Sequence, residues 1–213
     1  MDEALIHVSA GRSKNFERLE FLGDAVLRLA ATEFIDQHYP NLPVGRCSSL
    51  RAQLVSDRWL TQLGDKLQLD SFLVLGPKAL GDTTAKATLH ADATEALIGA
   101  IYSGSDNNLA PIHQWLTPHW QQTATDVLAT PHRFNGKSIL QEWSQAKGLG
   151  LPNYTTTEQS SRHGDPERFK SHVEVGTELG ADGFGGSRKD AEQNAAAEAV
   201  ESLQKTENIY FEN

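Results

Sequence analysis

Apolar residues recur every three or four positions through most of the first half of the chain. This spacing predicts helices over 17–37, 48–66 and 89–102, because it gathers the apolar side chains on one face of a helix. A polar segment ending at Pro111 marks a loop, and a further helix follows it. The sequence shows no competing strand pattern there, so the first half is predicted to be all-helical.

The second half shows a different order of patterns. An amphipathic helix is predicted over 137–147. Alternating apolar residues then predict three strands, 153–159, 169–175 and 179–184. A long alanine-rich helix begins near Ser187, which is a natural N-cap, and runs to about Gln204.

Thr130 and Pro131 separate the two patterns, and a length of 213 residues admits two domains. We therefore predict a multidomain α and α+β protein. Its all-helical domain covers residues 1–130 and its αβββα domain covers residues 134–205. Residues 206–213 resemble a protease-site linker and are left out of the fold prediction.

Charge and cysteine content restrict the possible chemistry. The chain has 19 basic and 28 acidic side chains, a formal net charge of −9. Binding of nucleic acid would therefore need a local patch of cations rather than a basic domain. Cys47 is the single cysteine, which excludes an internal disulfide and a thiolate zinc site. A bound metal would use oxygen or imidazole ligands.

Membrane and secretion signals are absent from the sequence. It contains no run of the roughly 18 apolar residues that a membrane-spanning helix needs. The opening Met1-Asp2-Glu3 is acidic where a secretory signal would be basic. The sequence therefore predicts a cytoplasmic protein with no membrane partner.

Three acids fall on one face of the first predicted helix. Glu17, Glu20 and Asp24 are spaced at i, i+3 and i+7, which places them within about 60° around the helix axis. Like charges at these spacings repel one another. Such a stripe is either simply solvated or neutralised by a bound ion.

A second pair of acids interrupts an apolar helix. Asp92 and Glu95 lie within 91–101, where a core-facing helix has little reason to keep two carboxylates on one side. If the two helices pack with their acidic faces together, the carboxylates form an all-oxygen site suited to Mg²⁺ or Mn²⁺. Spacing alone leaves solvated helix faces as an equal alternative.

The segment Glu17–Asp24, ERLEFLGD, resembles the signature of ribonuclease III, an endonuclease that cuts double-stranded RNA. Residues 92–99, DATEALIG, resemble the second acidic motif of that family, and 50–55 resemble the stretch between the two. The resemblance implies a Mg²⁺-dependent homodimer, with Mn²⁺ as a possible substitute. It also implies 5′-phosphate and 3′-hydroxyl products, in the maturation of ribosomal and other precursor RNAs.

The resemblance further implies roles for single residues. The implied metal-binding carboxylates are Glu20, Asp24, Asp92 and Glu95. Asp24 and Glu95 are also the implied catalytic acids, with Glu17 serving the cleaved strand. In metal-assisted hydrolysis one ion lowers the pKa of a bound water and a second can stabilise the leaving 3′ oxygen, so no nucleophilic side chain is needed.

Phe21 lies inside the first motif and has two interpretations. It could be an ordinary core aromatic. In the family, a side chain at this place inserts into a socket on a second subunit, and we favour that dimer contact. Two-fold pairing matches the pseudo-symmetry of an RNA duplex, of which each subunit would cut one strand.

Two features depart from the family pattern. Val44 stands where many members have an additional acid, which affects one contact to the RNA strand. Only residues 4–9 resemble the upstream helix that the family usually has, so we expect that helix to be missing.

The segment 183–196 resembles a double-stranded RNA-binding domain. Ser187 can cap a helix whose free N–H groups, with Arg188 and Lys189, suit phosphates. The alternative is a capped surface helix with two solvated cations. In the family, the first helix and the first loop of this domain reach RNA minor grooves, which here indicates Gln141, Glu142 and His163. Such domains recognise duplex shape over about 16 base pairs.

Two other functions compete with a nuclease. A non-catalytic RNA-binding protein with a degenerate nuclease fold would have lost metal-binding acids, and all four are present here. A structural helical dimer with solvated acids would show no effect of Mg²⁺ on its melting temperature.

Overall fold

The computed structural model describes residues 2–80, 86–162, 164–177 and 179–207. The chain forms two compact units, residues 1–126 and 127–213. The first is helical and the second contains a three-stranded antiparallel sheet, which confirms the predicted fold class. The predicted domain limits, 1–130 and 134–205, remain a prediction. Within the predicted tail, residues 206–207 continue the last helix and 208–213 lie outside the described residues.

The helices of the first half follow one another with short connections. They are α1 (Glu17–His38), α2 (Val44–Leu54), α3 (Asp57–Lys66), α4 (Pro77–Leu80), α5 (Lys86–Gly104) and α6 (Ala110–Ala129). Two 3-10 turns, Asp2–Leu5 and Val8–Ala10, precede α1. The first turn places Ala4 in a small cluster with Phe16 and Ala93, so the start of the chain packs against α5.

The predicted single helix over 48–66 is wrong, because two helices occupy this stretch. Ser56 has an extended backbone between α2 and α3, and its Oγ accepts a hydrogen bond from the Trp59 N–H at 3.2 Å. This bond satisfies a backbone donor in the first turn of α3, which is the role of an N-cap. The apolar spacing continues through the break and conceals it.

Two glycines let α1 and α5 cross at close range. A Cβ added to Gly23 would overlap the carbonyl oxygen of Glu95, and one added to Gly99 would overlap the carbonyl oxygen of Leu19. The backbones therefore touch where side chains normally separate two helices. Leu27 of α1 and Ile98 of α5 are fully buried, so apolar packing accompanies this crossing.

The second half forms the predicted αβββα order. Its elements are α7 (Pro131–Ala146), β1 (Asn153–Glu158), β2 (Phe169–Val175), β3 (Leu179–Gly185) and α8 (Arg188–Glu207). β1 pairs with β2 and β2 with β3, and buried residues of β2 and α8, such as Val173 and Val200, form the core. α7 begins before the predicted residue 137, because Pro131 fits the first helical position, and Asn135 then interrupts the helical geometry.

The close crossing predicts that Gly23→Ala destabilises the protein. The added methyl group must push α1 away from the Glu95 carbonyl, and overpacking of this kind costs about 1–3 kcal/mol of unfolding free energy. Chemical denaturation measures the loss. The matched control is Gly45→Ala in α2, where a Cβ meets nothing within 4 Å and alanine favours the helix. Equal stability of Gly23→Ala and the unaltered chain would contradict this account.

Candidate active site and RNA-binding surface

The α1–α5 crossing brings the predicted acids together. Gly23, which contacts the backbone of Glu95, lies between Glu20 and Asp24 on α1. Asp92 lies one turn before Glu95 on α5. These four carboxylates are half-buried, whereas Glu17, one turn before Glu20, is exposed. The site thus has four converging acids and one at its edge.

The electrostatics of this cluster reflect its crowding. Burial, followed by repulsion from the Asp24, Glu20 and Asp92 carboxylates, raises the pKa of Glu95 to about 7. Burial, Asp92 and Glu17 raise the pKa of Glu20. Burial also raises the pKa of Asp92. Each shift reflects the cost of holding a charged carboxylate in a partly buried place beside other carboxylates.

The donor set suits a hard divalent cation. In the geometry of the described residues, no three His, Cys, Asp or Glu side chains are close enough together to hold a metal ion. Asp24 accepts a hydrogen bond from Arg28 Nε at 2.8 Å. The four acids offer carboxylate oxygens, which Mg²⁺ and Mn²⁺ prefer. A cation bound there would favour the ionised form of Glu95, because metal binding and proton release are coupled.

Two residues near the acids were not predicted from the sequence. The charges of His7 and Asp57 act on Asp92, where His7 lowers the pKa and Asp57 raises it. Asp57 also raises the pKa of Glu95. The Ser56-Asp57 helix start was a signal for a first-turn acid, but nothing in the sequence places either residue beside α5.

Phe21 and Val44 are both surface residues. Phe21 is 83% exposed on α1, so within this chain it is not the core aromatic of the first interpretation. A large exposed aromatic next to a site of converging acids is unusual for a solvated surface. Val44, at the start of α2, is 82% exposed and contributes no charge in place of the family acid.

The start of α8 has the predicted cap. Ser187 Oγ accepts a hydrogen bond from the Asp190 N–H at 3.1 Å and donates one to Asp190 Oδ2 at 2.7 Å. Arg188 and Lys189 in the first helical turn are exposed. Arg188 donates to the carbonyl of Thr156 at 3.3 Å, while Lys189 has no ion pair among the described residues. Both cations remain accessible to an anion.

Other lysines of this unit are engaged in ion pairs with its own acids. The pairs are Lys137 with Glu192 at 2.6 Å, Lys170 with Asp182 at 2.7 Å and Lys205 with Glu201 at 2.8 Å. These three lysines are therefore less available to a ligand than Lys189.

Gln141 and Glu142 are exposed on α7, which packs against α8. Their side chains are therefore available to a ligand. His163 lies outside the described residues. The base of its loop is closed by Arg168, whose carbonyl accepts hydrogen bonds from the N–H groups of Gln159 and Ser160.

Comparison with known proteins finds a match for each unit. A family model described as Ribonuclease-III-like matches residues 1–118, more than half of the chain, and one described as Double-stranded RNA binding motif matches 137–203. The chain belongs to the ribonuclease III family. This is a family of double-stranded RNA endoribonucleases that need a divalent metal ion.

Relatives in this family resemble the chain over nearly all its length. Ribonuclease 3 of Prochlorococcus marinus is 50% identical over 203 residues, which cover 95% of this chain and 81% of the relative. Ribonuclease 3 2 of Nostoc sp. is 41% identical, with 98% and 86% covered. A solved nuclease domain of ribonuclease III from Campylobacter jejuni is 31% identical, covering 60% of this chain and 81% of that one, with a TM-score of 0.46.

No helix in the described part of this ribonuclease III chain is both long and apolar enough to cross a bilayer.

The raised pKa of Glu95 predicts a pH-dependent effect of Glu95→Gln on stability without metal. The folded-state pKa of about 7 exceeds the ordinary value of 4.5, so the folded protein binds the extra proton between these values. Stability from this group is fully present below pH 4.5 and falls as the pH rises through 7. Glu95→Gln should therefore raise the melting temperature at pH 8, and the gain should shrink towards pH 5.

Thermal unfolding in EDTA at several pH values measures this difference. Asp36→Asn, an exposed substitution on the same helix as Glu20 but outside the cluster, is the matched control. A stabilisation by Glu95→Gln that is the same at pH 5 and pH 8 would contradict the raised pKa.

Proposed function

We propose that this ribonuclease III family chain hydrolyses phosphodiester bonds of double-stranded RNA with Mg²⁺, and that Mn²⁺ can replace it. The products carry 5′-phosphate and 3′-hydroxyl ends, and the substrates are ribosomal and other precursor RNAs in the cytoplasm. The observation that carries the proposal is the convergence of acids from α1 and α5. Four half-buried carboxylates, three of them with raised pKa values, have a clear use when they hold a cation.

In this proposal Glu20, Asp24, Asp92 and Glu95 hold the metal. A bound divalent ion would supply an activated water and stabilise charge on the leaving oxygen. A cation held there would favour the ionised form of Glu95, and Asp24, which pairs with Arg28 in the structure, would contribute a further carboxylate. Glu17, exposed at the edge, approaches the cleaved strand.

In this proposal the second unit binds the RNA duplex. The capped start of α8 directs backbone N–H groups, Arg188 and Lys189 outward, where they suit phosphate oxygens. Gln141 and Glu142 on α7 suit 2′-hydroxyl groups, which distinguish RNA from DNA. His163 joins this set by resemblance to the family.

We further propose that the enzyme acts as a homodimer with Phe21 at the interface. The exposure of this ring supports the contact, because burying it against a second copy removes a large apolar surface from water. Two copies related by a two-fold axis would direct one acid cluster at each strand.

The competing proposal is a non-catalytic RNA-binding protein with a degenerate nuclease fold. None of the findings favours it. Such a protein has no need to keep four mutually repelling carboxylates half-buried, whereas a metal-dependent nuclease does.

The catalytic proposal predicts that Glu95→Gln abolishes cutting of a perfect RNA duplex in Mg²⁺. Changes beside a metal ligand already cost 10–100-fold in activity, so loss of a ligand should lower the cleavage rate by at least about 100-fold. Denaturing gels measure cutting, and phosphatase treatment tests for 5′-phosphate ends. Binding of the duplex should persist.

Asp36→Asn, which removes one charge from α1 outside the cluster, should cut at the unaltered rate. Cutting that survives Glu95→Gln would refute the assignment of the site. Binding without cutting by the unaltered protein would instead favour the degenerate alternative.

The dimer proposal predicts that Phe21→Ala produces a monomer. Removing the ring takes away the apolar contact between the copies, so the mass from sedimentation equilibrium should halve. Phe72→Ala is the matched control, because Phe72 is another exposed phenylalanine of the same unit, at 60%. An unchanged mass of Phe21→Ala would exclude Phe21 from the interface.

A further inference from the structure

Phe169, the first residue of β2, lies where the three strands meet the start of α8. It pairs with Glu158, the last residue of β1, and with Gly185, the last residue of β3. α8 begins three residues after Gly185, at Arg188. Side chains from several elements of the unit therefore surround this ring.

Two guanidinium groups pack against Phe169. The Cζ of Arg188 lies 5.3 Å from the ring centroid, and the Cζ of Arg168 lies 5.2 Å from it. Stacking on an aromatic ring fixes the plane of a guanidinium and leaves N–H donors at its edge available. Both guanidinium groups thus lie within 5.3 Å of the centre of one ring.

Arg168 also forms an ion pair with Glu158. Its Nε at 2.9 Å and its Nη2 at 2.8 Å both contact a single oxygen, Glu158 Oε1. Three of the five N–H groups of the guanidinium are not used in this pair. Both side chains are partly exposed, and surface ion pairs contribute little to stability. An approaching phosphate can therefore compete for Arg168.

The backbone of Arg168 connects the loop and the helix start. Its carbonyl accepts hydrogen bonds from Gln159 N at 2.7 Å and Ser160 N at 3.3 Å, which closes the loop between β1 and β2. Its side chain meanwhile shares a ring with Arg188. The residue thus lies between the two parts of the unit, loop and α8, for which RNA contacts were predicted.

We propose that Arg168 is a further RNA-binding residue, which binds a backbone phosphate near the one that Arg188 contacts. The inference rests on the proposed function, in which the start of α8 faces duplex RNA. An RNA strand carries a negative charge at every nucleotide, so two guanidinium groups that contact one ring suit phosphates of the same strand. The contact recognises the backbone and not the bases, so it adds affinity without sequence preference.

Binding of the full chain to an RNA duplex of about 20 base pairs, longer than one such domain spans, tests this residue. EDTA prevents cutting during the measurement. Arg168→Gln should weaken binding about fivefold. It should also lower the slope of log Kd against log salt by about 1, since one phosphate contact is lost.

Lys205→Gln is the matched control. It removes the same charge from the same unit, and Lys205 is likewise in an ion pair, but it lies roughly 25 Å further along α8 than Arg188. The affinity and the salt slope of Lys205→Gln should equal those of the unaltered protein. Arg168→Lys keeps the charge and should keep the salt slope, which separates loss of charge from loss of folding.

Glu158→Gln supplies an opposite test, because it frees Arg168 from its ion pair. This variant should bind the duplex about twofold to threefold more tightly. The gain should disappear in the Glu158→Gln, Arg168→Gln double variant. A gain that persists there would reflect only the removal of a negative charge, and would overturn the role of Arg168.

The outcomes distinguish this inference from the proposed function. If the unaltered protein binds the duplex and Arg168→Gln binds with the same Kd and salt slope, Arg168 is not an RNA contact and the proposed function stands. If the unaltered protein fails to bind the duplex at any salt concentration, the proposed function itself fails.

Discussion

The contact between the backbones of α1 and α5 is the constraint on which the acid cluster depends. Helices separated by ordinary side chains lie 8–10 Å apart. Here Gly23 and Gly99 remove the separating atoms, and the carbonyls of Glu95 and Leu19 occupy the space that Cβ atoms would need. The repulsion among carboxylates opposes this approach. Apolar burial around Leu27 supports it, so packing holds together charges that would separate in water.

The central part of the site was predictable from the sequence. The i, i+3 and i+7 spacing of Glu17, Glu20 and Asp24 defines one helical face, and Asp92 with Glu95 stands out within an apolar run. Their convergence follows once the helices are packed. His7 and Asp57 were not predictable, because their proximity to Asp92 depends on where a 3-10 turn and the start of α3 lie in three dimensions. Local periodicity carries no information about such distant neighbours.

The end of α2 and the strand register of the second half were not predictable from the sequence. Apolar spacing runs unbroken across Ser56, so one helix was predicted where the capping hydrogen bond begins a second. Alternating apolar residues predicted the three strands of the second half. They did not predict the register of these strands, and the register places Glu158, Phe169 and Gly185 side by side. Arg168 was therefore not among the residues predicted to contact RNA.

The internal ion pairs of the second unit have a consequence for how it meets a charged ligand. Lys137, Lys170 and Lys205 are each engaged by a neighbouring acid, and a paired charge contributes little to long-range attraction. Attraction of this kind acts mainly on the rate of association. Encounter between this unit and a polyanion should therefore be slower, and its rate less sensitive to salt, than for a unit with the same lysines unpaired.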